Sequence, residues 1–227
     1  MIKQEISFSS LFTDPDSSIA YAHLAAYEMP WEALAHIPAM IEQLACSLPH
    51  DQYREIVPHV WAARSATIAP SACIGAPCII CEDAEIRHGA FIRGAAIIGR
   101  HAVVGNSVEL KNCILFDGAQ VPHFNYVGDS ILGCHAHMGA GAITSNVKGD
   151  RSAITVLMEN ERIETGRKKF GALLGDYAEI GCNCVLNPGS IISRHTQVYP
   201  LCAVRGFVPP HSIYKAEGNI VTKRKNP

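Results

Sequence analysis

From Ile68 onward the apolar positions keep a fixed beat. Ile68, Ile74, Ile80, Ile86, Ile92, Ile98, Val104 and Leu110 stand six residues apart, with Ala72, Ala84, Ala90, Ala96 and Ala102 repeating between them. The same spacing returns as Leu174, Ile180, Leu186, Ile192, Val198 and Val204. A helix repeats near 3.6 residues and a strand every 2, so neither produces this interval. A hexapeptide repeat predicts a parallel β-helix, mainly β, in which three hexapeptides close one triangular coil of about 18 residues. Each aliphatic residue points inward and residue i stacks on i+18. Burying each Ile or Val contributes roughly 1.5 to 3 kcal/mol, so a continuous aliphatic stack can hold such a prism with few aromatics.

The flanks have a different texture. Residues 1–60 predict a small N-terminal helical cap: Asp16, Ser17 and Ser18 are placed to cap a helix through about Tyr27, and Pro30 and Pro38 sit where helices can begin. After Pro38, the residues Met40, Ile41, Leu44, Ala45 and Leu48 form one stripe of an amphipathic helix, to be laid on the main body. The β-helix is expected over 61–215. Residues 148–168 interrupt it with alternating Ile154, Val156 and Met158, a turn near Asn160 and a return through Ile163, which predicts a projecting hairpin or arm able to reach a neighbouring subunit. Residues 216–227 read as a tail, with Lys223, Arg224 and Lys225 solvated.

Composition narrows the function. The net charge of −2 gives no electrostatic reason to expect nucleic acid or an anionic membrane as partner. Met1–Ser10 has no apolar stretch of the secretory kind and no run of apolar residues is long enough for a bilayer, so a cytoplasmic protein is expected. Nine cysteines, an odd number, then read as reduced thiols. Cys78 and Cys81 have CxxC spacing, but with no second pair they read as inert core thiols rather than redox or metal ligands.

The chemistry is concentrated between Val121 and Asn146. His123, Tyr126, Asp129, His135, His137 and Asn146 lie there among Gly128, Gly133, Gly139 and Gly141. Buried polar groups need partners and glycine supplies no side-chain contact, so a ligand site is a better account of this stretch than a packed core. Arg93 and Lys111, 18 apart, stack on successive coils; such a pair repels unless an anion lies beside it, and a sugar phosphate is a natural candidate. A solvated surface ladder is the plainer alternative.

The hexapeptide runs resemble the left-handed β-helix acyltransferases. VELKN at 108–112, PHFNYVGD at 122–129, MGAGAITSN at 138–146 and KKFGALLGD at 168–176 resemble the acetyltransferase half of the bifunctional glucosamine-1-phosphate acetyltransferase/N-acetylglucosamine-1-phosphate uridylyltransferases. The wording GRKKFGALLGD and the arm are closer to related sugar-1-phosphate nucleotidylyltransferases carrying the same β-helix. The similarity covers about residues 60–215. No stretch before residue 60 has the length or the glycine-rich loop of the nucleotidyltransferase half, so pyrophosphorylase activity is not expected.

The resemblance implies a cytoplasmic homotrimer with sites between subunits, using acetyl-CoA as co-substrate to acetylate the amine of a hexosamine 1-phosphate. It assigns His123 as general base, Arg93 and Lys111 to phosphate, Tyr126, Asn146 and Lys169 to the sugar, and the Ala140 amide to the thioester oxyanion. A histidine with an unperturbed pKa near 6.5 is largely neutral at cellular pH and suits the proton transfer. Two positions depart from the pattern: His137 stands where the family has an asparagine near the acetamido group, and Cys182 where it has a serine on the coenzyme side. His135 and His137 form an HxH, but no spaced histidine set accompanies it, so no metal is expected. The rivals are a non-catalytic module binding sugar phosphates or nucleotide sugars, and another β-helix enzyme, either an acyltransferase for a different amine or a metal-dependent hydratase.

Overall fold

The computed structural model describes residues 2–159 and 161–223. Short strands wind into a left-handed parallel β-helix with three flat faces. The first face stacks Val60–Ala63, Cys78–Ile80, Ala96–Ile98, Ala172–Leu174, Ser190–Ile192 and Phe207–Val208. The second stacks Cys73–Ile74, Phe91–Ile92, Ile143–Thr144, Val185–Leu186 and Ala203–Val204. Glu109–Leu115 and Tyr126–Leu132 turn the edge between these faces and belong to both. The third face runs from Thr67–Ile68 through Gln120–His123 and His137–Met138 to Ser212–Ala216.

The hexad positions point inward, as their spacing requires. Ile80, Ile86, Ile92, Ile98, Val104 and Leu110 are buried in one continuous core with Leu174, Ile180, Leu186 and Ile192. The beat is not strictly six. Ile98 pairs with Leu115 and Leu115 with Leu132, 17 residues apart each time rather than the expected 18. The missing residue falls at the edge between the first and second faces. There Asn112 (φ 50°) and Asp129 (φ 48°) make the turn in the left-handed region, which asparagine and aspartate tolerate better than most side chains.

The first face is buried on both sides. Ile79, Ile97, Ile114, Ile131, Leu173 and Ile191 point outward from it into a second apolar cluster. Parallel strands covered on both faces read as unbroken apolar runs, and the chain carries them as CII, AII, CIL, ALL and SII. The cover is the N-terminal segment: Ile6, Leu11, Phe12, Leu24, Trp31, Leu34, Ile37 and Ile41 are all buried there, with Phe12 stacked on Phe116 at 4.9 Å and Trp31 against Phe170 at 5.8 Å. Its helices are shorter than the sequence suggests: Ile2–Glu5, Phe8–Leu11, Tyr21–Leu24, a 3-10 turn at Pro30–Ala35, and Ile37–Ala45. Met40, Ile41 and Leu44 form the expected buried stripe.

The arm also differs from its expectation. Thr155–Leu157 and Arg162–Glu164 form an antiparallel hairpin, yet Ile154 and Val156 are fully buried beside Ile191 and Phe170. It lies back on its own prism because its alternating apolar side meets the outward aliphatics of the first face. Antiparallel strands finish both ends of the coil stack, Tyr53–Val57 on Val60–Ala63 and Asn219–Thr222 on Ser212–Ala216. Arg224 and Lys225 of the basic tail lie outside the described residues. The cysteines are free thiols, and burial pushes Cys81 up to about 12 and Cys78 higher still, so neither ionises readily.

Along the edge between the first and third faces, His135, Tyr177, His195 and His211 occupy left-handed corners and stack ring on ring, with centroids 5.3, 5.0 and 4.8 Å apart. The His195 imidazole is held below its ordinary pKa by burial, then by His211, Arg194 and Lys223, against the opposing pull of Asp176.

Two outcomes follow from this packing. Ile131→Ala should cost about 2 to 5 kcal/mol in denaturant unfolding and make the N-terminal segment sensitive to protease, because it opens the seam between cap and prism; unchanged protease resistance would show that the cap is held elsewhere. A histidine with a depressed folded pKa releases its proton on folding, so its contribution is present above about pH 6.5 and is lost as pH falls. Urea midpoints should therefore drop between about pH 7.5 and pH 5, and His195→Phe, which keeps the stack, should flatten that slope. Parallel slopes for the two proteins would exclude His195 as the source.

Candidate functional site

The edge between the first and second faces gathers the charge. Arg93 and Lys111 are neighbours there, since Glu109 pairs with Phe91 and Leu110 with Ile92. They do not face each other uncompensated: Arg93 Nη1 lies 2.9 Å from Glu109 Oε1, and Lys111 Nζ lies 3.5 Å from Asp129 Oδ2. Asp129 is the hub. Its side chain is only 4% exposed, and its carboxylate accepts from Asn112 Nδ2 at 2.8 Å and from Asn146 Nδ2 at 2.5 Å. Asn112 Nδ2 also donates to the Leu34 carbonyl at 3.0 Å, tying the cap to this edge. A groove of about 360 Å³ runs along the seam, walled by Leu34, Ala35 and Pro38 and floored by Arg93, Lys111, Asn112 and Asp129.

Tyr126 begins its strand on the second face and leans its ring over Gly128, where there is no room for a Cβ. Its phenol is pushed up by burial and by the carboxylates of Asp129 and Glu109, while Arg93 and a hydrogen bond with Asn146 oppose the shift. Lys169 is exposed at the base of the arm. Arg167, two residues earlier, is half-buried; burial lowers its pKa and the field of Asp129 opposes that.

His123 lies at the next edge, between the second and third faces, exposed at the end of its strand. Its backbone N–H donates to Asn125 Oδ1 at 3.1 Å and its carbonyl accepts from Gly141 N at 3.0 Å, which sets it beside the Ala140–Gly141 corner of the following coil. Among the described residues the Ala140 N–H meets no acceptor. Beyond this corner, on the third face, a groove of about 380 Å³ is lined by His137, Gly139, Glu179, Cys182, Tyr199 and Pro200. His137 Nδ1 is 2.9 Å from Glu179 Oε2, and Cys182 is exposed.

The expected residues thus fall into two groups on one prism, joined across the second face. Arg93, Lys111, Tyr126 and Asn146 meet around Asp129; Ala140, His137 and Cys182 lie on the far side of His123. Sequence reasoning missed Glu109, Asn112 and Arg167 as members of the site, and it included Asp129 in the candidate stretch without giving it a role. A charge count along the coil could have found Glu109 and Asp129, because each stands one coil after the cation it neutralises. Among the described residues no cluster of three or more metal-ligating side chains occurs.

Residues 74–166 match the family described as GMPPB C-terminal domain. A bifunctional sugar-1-phosphate nucleotidylyltransferase/acetyltransferase of Sulfurisphaera tokodaii is 31% identical, over 60% of this chain and 39% of that protein. A bifunctional protein GlmU of Methanococcus maripaludis is 32% identical, over 60% of this chain and 33% of that protein. The chain therefore spans little more than a third of the curated relatives it matches. Through its β-helix it is related to these bifunctional proteins. Among solved structures, the acetyltransferase domain of PglB from Neisseria gonorrhoeae covers 81% of this chain, and this chain 63% of it, at 14% identity and a TM-score of 0.33. No helix among the described residues is long and apolar enough to cross a membrane.

Asp129→Asn keeps a residue that accepts the left-handed turn while removing the charge. It should cost about 1 to 3 kcal/mol in denaturant unfolding, since Lys111 loses its counter-ion and two asparagine amides lose a charged acceptor. Wild-type stability in this variant would show that the hub is satisfied by water.

Proposed function

We propose that the chain transfers the acetyl group of acetyl-CoA to the amine of a hexosamine 1-phosphate, with His123 as general base. The observation that carries this reading is the seating of His123 against the Ala140–Gly141 corner, beside an amide N–H that has no protein acceptor among the described residues. A base and an oxyanion donor held on one edge are the two groups that acyl transfer from a thioester needs. The amine attacks the thioester carbonyl and gives its proton to the His123 imidazole. The tetrahedral oxygen takes the Ala140 N–H, and the thiolate leaves with the proton that His123 returns.

The other residues take roles along the same path. Arg93 and Lys111 hold the phosphate, and Tyr126, Asn146 and Lys169 orient the sugar. The third-face groove with His137 and Cys182 receives the coenzyme. His137 is tied to Glu179, so its contribution is a directed polar wall rather than a second base. We further propose a homotrimer: Phe124 (61% exposed) and Leu201 (79% exposed) project from the His123 edge, and burying them against a neighbouring copy would close the site from water. The names of the curated relatives, which include an acetyltransferase, support the reaction class.

The test is release of free thiol from acetyl-CoA against a panel of hexosamine 1-phosphates. His123→Ala should lower turnover by roughly 10² to 10⁴ while light scattering shows the same assembly. Undiminished turnover would remove His123 from the mechanism, and silence across the panel with sugar phosphates still bound would leave a binding module.

A further inference from the structure

The site holds more than two cations, and they are not equivalent. Arg93 is paired with Glu109 and Lys111 with Asp129. An anion arriving at either must compete with a carboxylate already in place. Arg167 has no such partner. Among the described residues no carboxylate lies within ion-pair distance of its guanidinium, and the one hydrogen bond its side chain makes runs from Nε to the Lys169 carbonyl at 3.2 Å. The two terminal nitrogens carry four further N–H donors, which meet no acceptor among the described residues.

The backbone at Arg167 is fixed. Its backbone N–H donates to Thr165 Oγ1 at 3.2 Å and its carbonyl accepts from the N–H of the fully buried Ile154 at 2.8 Å. The base of the arm is thereby stitched to the prism, and the Gly171 N–H, donating to the Asp129 carbonyl at 2.8 Å, brings the chain that follows Arg167 beside the Asp129 hub. Asp129 is already shared: Oδ1 accepts from Asn112, and Oδ2 accepts from Asn146 and faces Lys111. A guanidinium that is partly desolvated and has no carboxylate at ion-pair distance among the described residues carries a cost that an external anion would relieve.

We infer that Arg167 is the principal anchor for the phosphate of the substrate, with Arg93 and Lys111 as pre-neutralised supports, so that the arm is a working part of the site. The inference deepens the reading above by naming which cation decides for a phosphorylated over a neutral sugar. A guanidinium offers phosphate two parallel N–H donors, a geometry that lysine lacks.

Inorganic phosphate titrated into the full chain by calorimetry tests this without requiring turnover. Arg167→Gln should weaken phosphate binding about 10- to 100-fold, the loss expected for charge-assisted hydrogen bonds. Arg93→Gln should weaken it by a smaller factor. Arg167→Lys, which keeps charge and stem, covers the case in which the glutamine variant fails to fold, and it should still bind less tightly than the wild type. Equal binding by the wild type and the Arg167 variants overturns the inference, as does a wild type that binds no phosphate. The acetyl-transfer assay run in parallel separates this from the reaction itself. If phosphate binding depends on Arg167 but the wild type acetylates no hexosamine 1-phosphate, only the proposed reaction falls. If the wild type turns over and Arg167→Gln leaves the KM for hexosamine 1-phosphate unchanged, only the role of Arg167 falls.

Discussion

Burial of one prism face on both sides is the constraint from which the remaining architecture follows. A parallel coil needs only its inward aliphatics to close, yet this chain adds a second column, Ile79, Ile97, Ile114, Ile131, Leu173 and Ile191, that would stand in water without a cover. The N-terminal helices and the folded-back arm supply it from two separate parts of the sequence. Neither is stable as an isolated unit, because helices of four to nine residues cannot hold themselves in water. Their structure is borrowed from the face that they shield.

The seam where cover meets prism is also where the coil tightens by one residue. At this corner Asn112 and Asp129 both take left-handed backbone, and their side chains meet across adjacent coils. A structural demand for turn-forming residues and an electrostatic demand for a carboxylate beside Lys111 are met by the same position. Asp129 thus joins three coils, the arm departing after Asn146 and, through Asn112, the cap at Leu34.

Much of the fold was legible because the hexad is a long, regular signal. Inward residues from Ile80 to Leu110 needed nothing beyond their spacing. The beat faltered at Leu110 to Leu115 because corner length is set by backbone conformation at Asn112, which hydrophobic periodicity does not report. The cap helices were misjudged for the same kind of reason: Tyr21–Leu24 is held by contacts with the prism, so its extent is decided by tertiary packing rather than by the caps at Asp16 to Ser18. In the site, cations were visible as single residues, but their pairing with Glu109 and Asp129 depended on the one-coil offset. Arg167 was hidden because reading 148–168 as a projection placed it away from everything else.

The two terminal hairpins have a consequence for the molecule as a whole. A stack of parallel coils ends in a row of open backbone N–H and C=O groups, and identical ends could in principle add to one another without limit. Here Tyr53–Val57 turns back antiparallel on the first coil, and Asn219–Thr222 does the same on the last coil of the third face. Reversed strand direction breaks the parallel repeat at those two faces, so a further coil finds no matching strand there. Continuation of the coil is thereby disfavoured at one face of each end.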